Sequence, residues 1–182
     1  SWEVTNLLAV DEQLQMVYYQ AADEQPMQRN IYRVNIAKPV PQKLSLQVGH
    51  NSATFSSNGK FYVNQWSDYN TPPQITLHSG DGKQVRMLED NRAAKEAFVA
   101  AQMPQREAIK VRAADGITDL NGWILKPANF NPAKKYAVVM VQYSGPNSQQ
   151  VLDRYNADWY FALLNEDILV AAVDGRGTGA RG

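Results

Sequence analysis

The spacing of apolar and polar residues changes near residue 90 and divides the chain into two halves. In the first half, short segments rich in Val, Ile, Tyr and Phe alternate with turn residues, a pattern typical of β-strands. Between these segments lie Asn58-Gly59 and Asp81-Gly82, dipeptides that tolerate positive φ and favour tight hairpin turns. The predicted strands are residues 2–10, 14–20, 30–36, 43–48, 60–66, 74–78 and 84–88.

A faint internal repeat runs through this all-β half. Three residues recur 44 positions later: Tyr18 as Tyr62, Ile31 as Ile75, and Leu44 as Leu88. Four strands in about 40–45 residues is the period of a β-propeller blade. A β-sandwich has the same rhythm, so the periodicity alone leaves both architectures open.

The second half combines helical and strand patterns. Residues 136–142 form a near-continuous apolar run, which predicts a strand buried on both faces of a mostly parallel sheet. Helical spacing at 148–164 and another apolar strand at 168–173 complete a βαβ unit, whose crossover we expect to be right-handed. This half is predicted to open an α/β domain. Upstream of that unit, a helix is predicted at 91–102, with Asp90 or Asn91 as its cap, and strands at 105–113 and 117–125.

Composition narrows the function classes. Apolar residues make up 44% of the 182 residues and charged residues 20%, as in an ordinary globular protein. The 18 basic and 18 acidic residues cancel, which argues against a nucleic-acid surface or a polybasic membrane anchor. No stretch approaches the roughly 18 apolar residues of a membrane span. Without cysteine, neither disulfides nor thiolate metal sites can form. Because the chain begins Ser-Trp, we expect it to be a segment of a longer protein.

The glycine string that follows the last apolar run is a literal G-x-G-x-x-G, ending at Gly182. A dinucleotide fingerprint lies on the first βα turn of its domain, opens a helix and is followed by an acidic residue about 20 positions later. Here an earlier strand and helix are predicted before the string, so its position argues against cofactor binding. A sharp turn at the carboxyl edge of a sheet is the favoured interpretation.

Two motifs carry a resemblance to a known family. YSGP at 143–146 follows the apolar run at 136–142, and DGRGTG at 174–179 follows the run at 168–173. Together they resemble the dipeptidyl peptidase IV branch of the prolyl oligopeptidase family of serine peptidases. Further segments that resemble this family occur in the family's order along the chain. They are WEVTNL (2–7), RNIYRVN (29–35), TLHSGDGKQVRMLEDN (76–91), QMP (102–104) and KPANFNPAKKYAVV (126–139).

The resemblance implies a fold and an activity. In that family an eight-bladed propeller caps an α/β-hydrolase domain, and peptides are cleaved after a penultimate Pro or Ala. Residues 1–90 would then be about two C-terminal blades, and residues 91–182 the start of the hydrolase domain, truncated before the catalytic serine. The resemblance implies a peptide substrate, no cofactor or metal, and a homodimeric parent. Together with the lack of cysteine and of N-x-S/T sites, it suggests a bacterial periplasmic parent.

Tyr143 is the main candidate for a functional side chain. It is predicted at the end of a strand just before a helix, where α/β-hydrolases place a donor of the oxyanion hole. The resemblance implies that its hydroxyl stabilises the developing alkoxide, with Gly145 and Pro146 fixing the turn that aims it. The alternative is a tyrosine with its ring in the core and its hydroxyl in water.

Other residues have weaker assignments. Arg154, on the predicted helix after Tyr143, has a family counterpart near the substrate, although its spacing differs from the family pattern; a solvated helix arginine is the alternative. In the DGRGTG loop we expect a scaffold, in which Asp174 and Arg176 make local hydrogen bonds and the glycines allow tight packing. The glycines concerned are Gly175, Gly177 and Gly179.

The residues that would perform hydrolysis are missing from the sequence. No G-x-S-x-G motif occurs, and His50 and His78 lie in the β half without a nucleophile. The segment alone is therefore predicted to have no peptidase activity. Two alternatives remain: a propeller-derived interaction module attached to a degenerate hydrolase, and a dinucleotide-binding domain. In the first, exposed aromatic residues would line the binding face: Tyr62, Trp66 and Tyr69.

Overall fold

Three four-stranded sheets and two short helices account for the regular structure in residues 3–180, the part of the chain that the computed structural model describes. The first sheet is an antiparallel meander of neighbours in the order β1-β2-β3-β4. Its strands are β1 (Glu3–Asp11), β2 (Met16–Ala22), β3 (Asn30–Asn35) and β4 (Gln42–Lys43). The second is a meander β5-β6-β7-β8, made of β5 (His50–Phe55), β6 (Phe61–Ser67), β7 (Gln74–Ser79) and β8 (Gln84–Glu89).

The two meanders have the four-strand organisation that the 44-residue repeat predicts. Tyr18 of β2 and Tyr62 of β6 occupy equivalent strands, and each is only 2% exposed. Phe55 lies between them, with its ring centroid 4.4 Å from that of Tyr18 and 4.8 Å from that of Tyr62. The repeated tyrosines therefore belong to one aromatic cluster that joins the first two sheets.

Two strand predictions in this half are wrong. The predicted strand at 43–48 shrinks to β4: Leu44 N–H still donates to the Ile31 carbonyl of β3 over 2.7 Å, but the Ile31 N–H donates to the side-chain Oγ of Ser45 over 3.1 Å and not to a backbone carbonyl, so the ladder ends there. Strand β5 was not predicted, because its residues HNSATF include no Val or Ile. β5 forms because it pairs along its whole length with β6, so its strand conformation comes from the neighbouring strand rather than from its own propensity.

Helix α1 (Arg92–Ala100) lies inside the predicted range, and of the two residues predicted to cap it, Asp90 supplies the side-chain bond and Asn91 does not. Asn91 is the residue before the helix and has φ 49°, and its side chain makes no capping bond. Instead, the Arg92 N–H donates to Asp90 Oδ1 over 2.9 Å. α1 has no buried residue, so it rests on the surface of the described part of the chain.

The third sheet mixes antiparallel and parallel pairs in the order β11-β12-β10-β9. β9 (Arg106–Arg112) and β10 (Asp119–Leu125) form the predicted hairpin, and β12 (Ile168–Val173) is the predicted buried strand. β11 (Ala137–Met140) pairs in parallel with β12, as the βαβ prediction requires. The predicted burial of β11 is wrong, because it is an edge strand with Val138 and Met140 about half exposed.

The predicted helix at 148–164 is also wrong except for its last turn, α2 (Tyr160–Leu164). The residues before it form an irregular segment, whose backbone N–H groups donate to distant partners instead of to helical carbonyls. Asp153 N–H donates to the Met27 carbonyl over 2.9 Å, and Tyr155 N–H to Ser67 Oγ over 3.3 Å. Residues 149–155 therefore form a strap across the first two sheets.

The chain is mostly β in residues 3–180, and no α/β-hydrolase portion is evident there. The strap, α2 and the third sheet share one apolar core, which includes Trp123, Val151 and Val170. Neither α1 nor α2 has the length and apolarity needed to cross a bilayer. Within the same residues, no group of three His, Asp or Glu side chains could hold a metal ion.

Candidate functional site

Tyr143 lies on the loop that follows β11, at the end where the parallel strands β11 and β12 both finish. Its side chain is 66% exposed, so the ring is not in the core. The ring lies over Gly145: a Cβ at position 145 would be 3.3 Å from Tyr143 Cε1 and 3.5 Å from its hydroxyl oxygen. Because Gly145 has no side chain, the Tyr143 ring can pack directly over it.

A β-turn over residues 145–148 shapes this loop. Ser148 N–H donates to the Gly145 carbonyl over 3.1 Å, with Pro146 and Asn147 at the two central positions. Asn147 has φ 60°, which matches the third residue of a type II turn. The Ser148 hydroxyl lies 2.7 Å from the Tyr143 carbonyl oxygen and 2.6 Å from the Gly145 carbonyl oxygen. Ser148 thus fixes the backbone on both sides of Ser144.

Asp174 joins this loop to the end of β12. Its carboxylate is buried, with 3% of the residue exposed, and accepts the Gln150 N–H over 2.9 Å and the Val151 N–H over 3.0 Å. Its own N–H donates to the Asn121 carbonyl over 3.0 Å, which anchors it to β10. A buried carboxylate that accepts two backbone N–H groups forms strong, charge-assisted hydrogen bonds. Asp174 therefore fixes where the strap leaves the Tyr143 loop.

The glycine string packs against the same loop at one position. Gly179 N–H donates to the Ser148 carbonyl over 2.9 Å, and a Cβ on Gly179 would lie 3.1 Å from the Asn147 carbonyl oxygen. At Gly175 and Gly177, an added Cβ would meet nothing within 4 Å. Close packing thus requires glycine at 179 only. Because its N–H is already bonded, Gly179 is not free to hold a phosphate.

Arg176 of the DGRGTG loop makes an exposed contact. Arg176 donates through Nη1 to Asp115 Oδ2 over 3.1 Å, in the turn between β9 and β10. The Thr118 hydroxyl and nearby backbone N–H groups hold the pKa of the Asp115 carboxyl at about 2. An exposed ion pair contributes little to stability. Arg176 therefore links its loop to the turn between β9 and β10 without adding much to the free energy of unfolding.

Arg154 lies on the strap rather than on the predicted helix, and its side chain is exposed. No hydrogen bond or ion pair within residues 3–180 links it to the Tyr143 loop. Its clearest electrostatic neighbour is His50, the first residue of β5. Burial, together with the positive charges of Arg154 and Arg29, lowers the pKa of His50 to about 4.

This histidine gives a pH prediction. The folded pKa of about 4 lies below the ordinary 6.5, so between these values the unfolded chain binds the proton more tightly. Stability is therefore full above about pH 6.5 and is lost as the pH falls toward 4, by roughly 1–2 kcal/mol at about pH 5. Urea denaturation of the wild type and of His50→Gln at several pH values measures this. As the pH falls from about 7 to about 5, the wild type should lose roughly 1–2 kcal/mol that His50→Gln does not lose. Equal losses in the two proteins would contradict the assignment.

Sequence reasoning missed several side chains that hold the loop. Gln149 Oε1 accepts from Arg29 Nη2 over 2.5 Å, and Gln149 Nε2 donates to the Pro26 carbonyl over 2.7 Å. Trp123 Nε1 donates to the Gln150 carbonyl over 3.2 Å. These partners lie far apart in sequence, and no local pattern could have identified them.

The aromatic residues considered for an interaction face are not exposed as expected. Tyr62 is buried and stacks on Phe55 and His78. Trp66 is partly buried and donates through Nε1 to the Val48 carbonyl over 2.9 Å, and Tyr69 packs against the core that contains Trp123. Packing between strands explains why these aromatic residues are there.

Comparisons with known proteins show that the chain is similar to dipeptidyl peptidases. A family model described as the dipeptidyl peptidase IV N-terminal region matches residues 1–73. Among curated proteins, the whole chain is 29% identical to a probable dipeptidyl peptidase 4 of Aspergillus flavus and 30% identical to the prolyl endopeptidase FAP of Bos taurus. It covers 24% and 25% of those two proteins, so it spans about a quarter of the length of the curated relatives it matches.

Solved structures give the same picture. The whole chain superposes on dipeptidyl peptidase 4 of Porphyromonas gingivalis with a TM-score of 0.91 and 45% identity, over 26% of that chain. A putative dipeptidyl aminopeptidase IV of Bacteroides ovatus gives a TM-score of 0.82 and 27% identity, over 26% of its chain. The chain is therefore similar along its whole length to a segment of dipeptidyl peptidase 4, and the family resemblance that its motifs predict is confirmed.

Proposed function

We propose that the chain is a segment of a dipeptidyl peptidase IV-like serine exopeptidase, which hydrolyses peptides after a penultimate Pro or Ala. Its relatives named as dipeptidyl peptidases support a peptidase parent. The segment supplies an oxyanion-hole tyrosine, and the serine, aspartate and histidine of the triad come from elsewhere in the parent. The segment by itself is then inactive. The parent acts as a homodimer, which light scattering on the purified full-length protein would test.

Within this proposal, residues 1–90 are the last two propeller blades and residues 91–182 open the α/β-hydrolase domain. The two four-stranded meanders end at Glu89, which agrees with a boundary near residue 90. The parallel pair of β11 and β12 agrees with the start of a hydrolase sheet. The half-exposed Val138 and Met140 on the edge strand agree with a sheet that further strands and helices cover.

The exposed position of Tyr143 at this sheet edge is the observation that carries the proposal. Parallel strands present their carboxyl ends at one sheet edge, where α/β proteins bind their ligands. Tyr143 lies on the loop at that edge, and the loop after β12 is hydrogen-bonded to it through Gly179 and Asp174. A phenol hydroxyl in such a position can donate to a carbonyl oxygen that becomes negative when a nucleophile attacks.

The chemical contribution of these residues is electrostatic. As the serine oxygen adds to the scissile carbonyl, the Tyr143 O–H keeps its proton and donates a hydrogen bond to the oxyanion. This bond strengthens as charge develops, so it favours the transition state over the bound substrate. The ring contact with Gly145 and the Ser148 hydroxyl bonds hold the loop before substrate arrives. Preorganised donors are worth more than mobile ones because they need no reorientation during reaction.

Amide hydrolysis by the full-length protein tests this function. It should release dipeptide from Gly-Pro-4-nitroanilide and should not cleave the N-acetylated form, since an exopeptidase of this kind needs a free amino terminus. The purified 182-residue segment should give no turnover. A folded full-length protein that hydrolyses neither substrate, or an isolated segment with titratable activity, would refute the proposal.

Gly145→Ala offers a finer test of the loop. The new methyl group would push on the Tyr143 ring, which is exposed and can move, so the free energy of unfolding should change by less than about 1 kcal/mol. The displaced hydroxyl should still lower kcat/KM by roughly tenfold, because small displacements of catalytic groups are costly. Gly177→Ala is the matched control, since its Cβ would meet nothing within 4 Å and its activity should be unchanged. Equal activities of the two variants would argue against the role of the ring contact.

A further inference from the structure

Arg106, the first residue of β9, is a buried cation between aromatic rings. Only 7% of the residue is exposed. Its guanidinium carbon lies 4.3 Å from the ring centroid of Trp123 and 5.9 Å from that of Tyr69. Asn70 fixes the backbone at this point: Arg106 N–H donates to Asn70 Oδ1 over 2.8 Å, and Asn70 Nδ2 donates to the Arg106 carbonyl over 3.0 Å. These bonds fix the backbone at Arg106, and the two ring contacts place its guanidinium.

The guanidinium of Arg106 is incompletely paired in residues 3–180, although the Asp158 carboxylate lies near enough to favour its charge. None of the ion pairs in that range includes it, and its buried Nε has no hydrogen-bond acceptor there. Burial lowers the pKa of the guanidinium, and the groups of Tyr69, Asp158 and Tyr160 only partly oppose this. A buried cation without a paired acceptor is costly, whereas an anion bound beside it would remove much of that cost.

Arg106 also lines a cavity of about 90 Å³. A single water needs about 10–15 Å³ of such space, so the cavity has room for a carboxylate with a short carbon chain but not for a folded peptide. Residues from α1, the segment that follows it, the strap and α2 form its apolar wall, and Lys95 brings a second positive charge. The apolar wall is formed by Phe98, Met103, Tyr155 and Phe161.

We propose that this cavity is a binding site for a small free aliphatic monocarboxylate, held by Arg106 through charge-assisted hydrogen bonds. The cation selects the carboxylate group, and the apolar wall selects a short hydrocarbon chain. Carboxylate binding here does not depend on the proposed peptidase function, because no residue of the Tyr143 loop lines the cavity.

Butyrate and butyramide form the matched pair of probes, since they have nearly the same shape and differ in charge. Calorimetric titration into the full-length protein, with tryptophan fluorescence as a second readout, should show saturable binding of butyrate at one site. Butyramide should bind at least about tenfold more weakly, because it cannot make charge-assisted bonds with the guanidinium. Comparable binding of the two probes, or no saturable binding of butyrate by the folded protein, would overturn the proposal.

Variants locate the site. Arg106→Met should weaken butyrate binding at least about tenfold, while Arg86→Met, which removes an exposed arginine of β8, should leave it unchanged. Thermal melts establish that both variants fold. If Arg106→Met is unfolded, Arg106→Lys replaces it and should keep part of the affinity. Unaltered affinity in a folded Arg106→Met protein would show that the carboxylate binds elsewhere and would overturn the assignment.

Discussion

Replacing Tyr143 by phenylalanine is expected to lower kcat/KM of the full-length protein for a Gly-Pro amide by a factor of about 10²–10³, the usual loss when one oxyanion-hole donor is removed. The change should lie mainly in kcat, because the hydroxyl bonds to the oxyanion of the transition state and not to the ground-state substrate. Steady-state kinetics with Gly-Pro-4-nitroanilide give both parameters. Since the ring is 66% exposed, the substitution should barely change the free energy of unfolding.

Tyr136→Phe is a suitable control for this experiment. Tyr136 precedes the same strand at its other end, where its hydroxyl accepts the Asn131 N–H over 2.8 Å. Loss of that bond affects only a surface loop, so kcat/KM should stay within about twofold of the wild type. If Tyr143→Phe also stays within this range, the oxyanion role is wrong. If it raises KM alone, the hydroxyl contacts the substrate without stabilising the transition state.

Replacing Asp174 by alanine is expected to reduce the free energy of unfolding by about 3–5 kcal/mol. The substitution removes a buried acceptor of two backbone N–H groups and leaves those of half-buried Gln150 and fully buried Val151 without partners. Activity should also fall, because these bonds fix the loop that aims Tyr143. Urea denaturation followed by tryptophan fluorescence measures the stability change.

Asp174→Asn tests how much one of the two hydrogen bonds to Asp174 contributes without the other. It keeps one acceptor oxygen and turns an amide donor toward the other N–H, so about half of the loss is expected, roughly 1.5–3 kcal/mol. Asp167→Asn is the control: Asp167 is exposed and has φ 54°, a conformation that asparagine also accepts. If both Asp174 variants are as stable as Asp167→Asn, solvent or rearranged neighbours must satisfy the freed N–H groups of Gln150 and Val151.

Much of the fold was accessible from local sequence. The paired tyrosines Tyr18 and Tyr62 correctly indicated two repeated sheets, since both are buried on the second strand of their sheet. The hairpin of β9 and β10 and the buried strand β12 follow from period-two patterning and from an apolar run, respectively. These elements were predicted correctly because their own residues determine both their conformation and their burial.

The failures occur where distant partners decide the conformation. Residues 149–155 have helical spacing, yet Asp174, Met27 and Ser67 accept their backbone N–H groups and hold them in an irregular strap. An apolar run predicts a strand at β11 but cannot tell whether it is central or at the edge, since strand order is not written in the run itself.

The candidate site was predictable only in part. The turn at Pro146 and Asn147 follows from local chemistry, because proline and a residue that accepts positive φ favour it. Other features depend on contacts that no local pattern reveals. They are the Ser148 hydroxyl bonds, the hydrogen bonds from the strap to Asp174, and the burial of Arg106 against Trp123. Motif resemblance identified the loop but not the interactions that hold it in place.

The position of β11 bears on how the segment behaves in solution. On its outer side the strand has no neighbour in residues 3–180, so its backbone N–H and C=O groups are open to another chain. Val138 and Met140 give this edge an apolar character, and no charged side chain lies within β11 to discourage intermolecular pairing. Aggregation of the isolated segment at high concentration would therefore begin by strand addition here, and a lysine introduced at position 138 is the natural means of suppressing it.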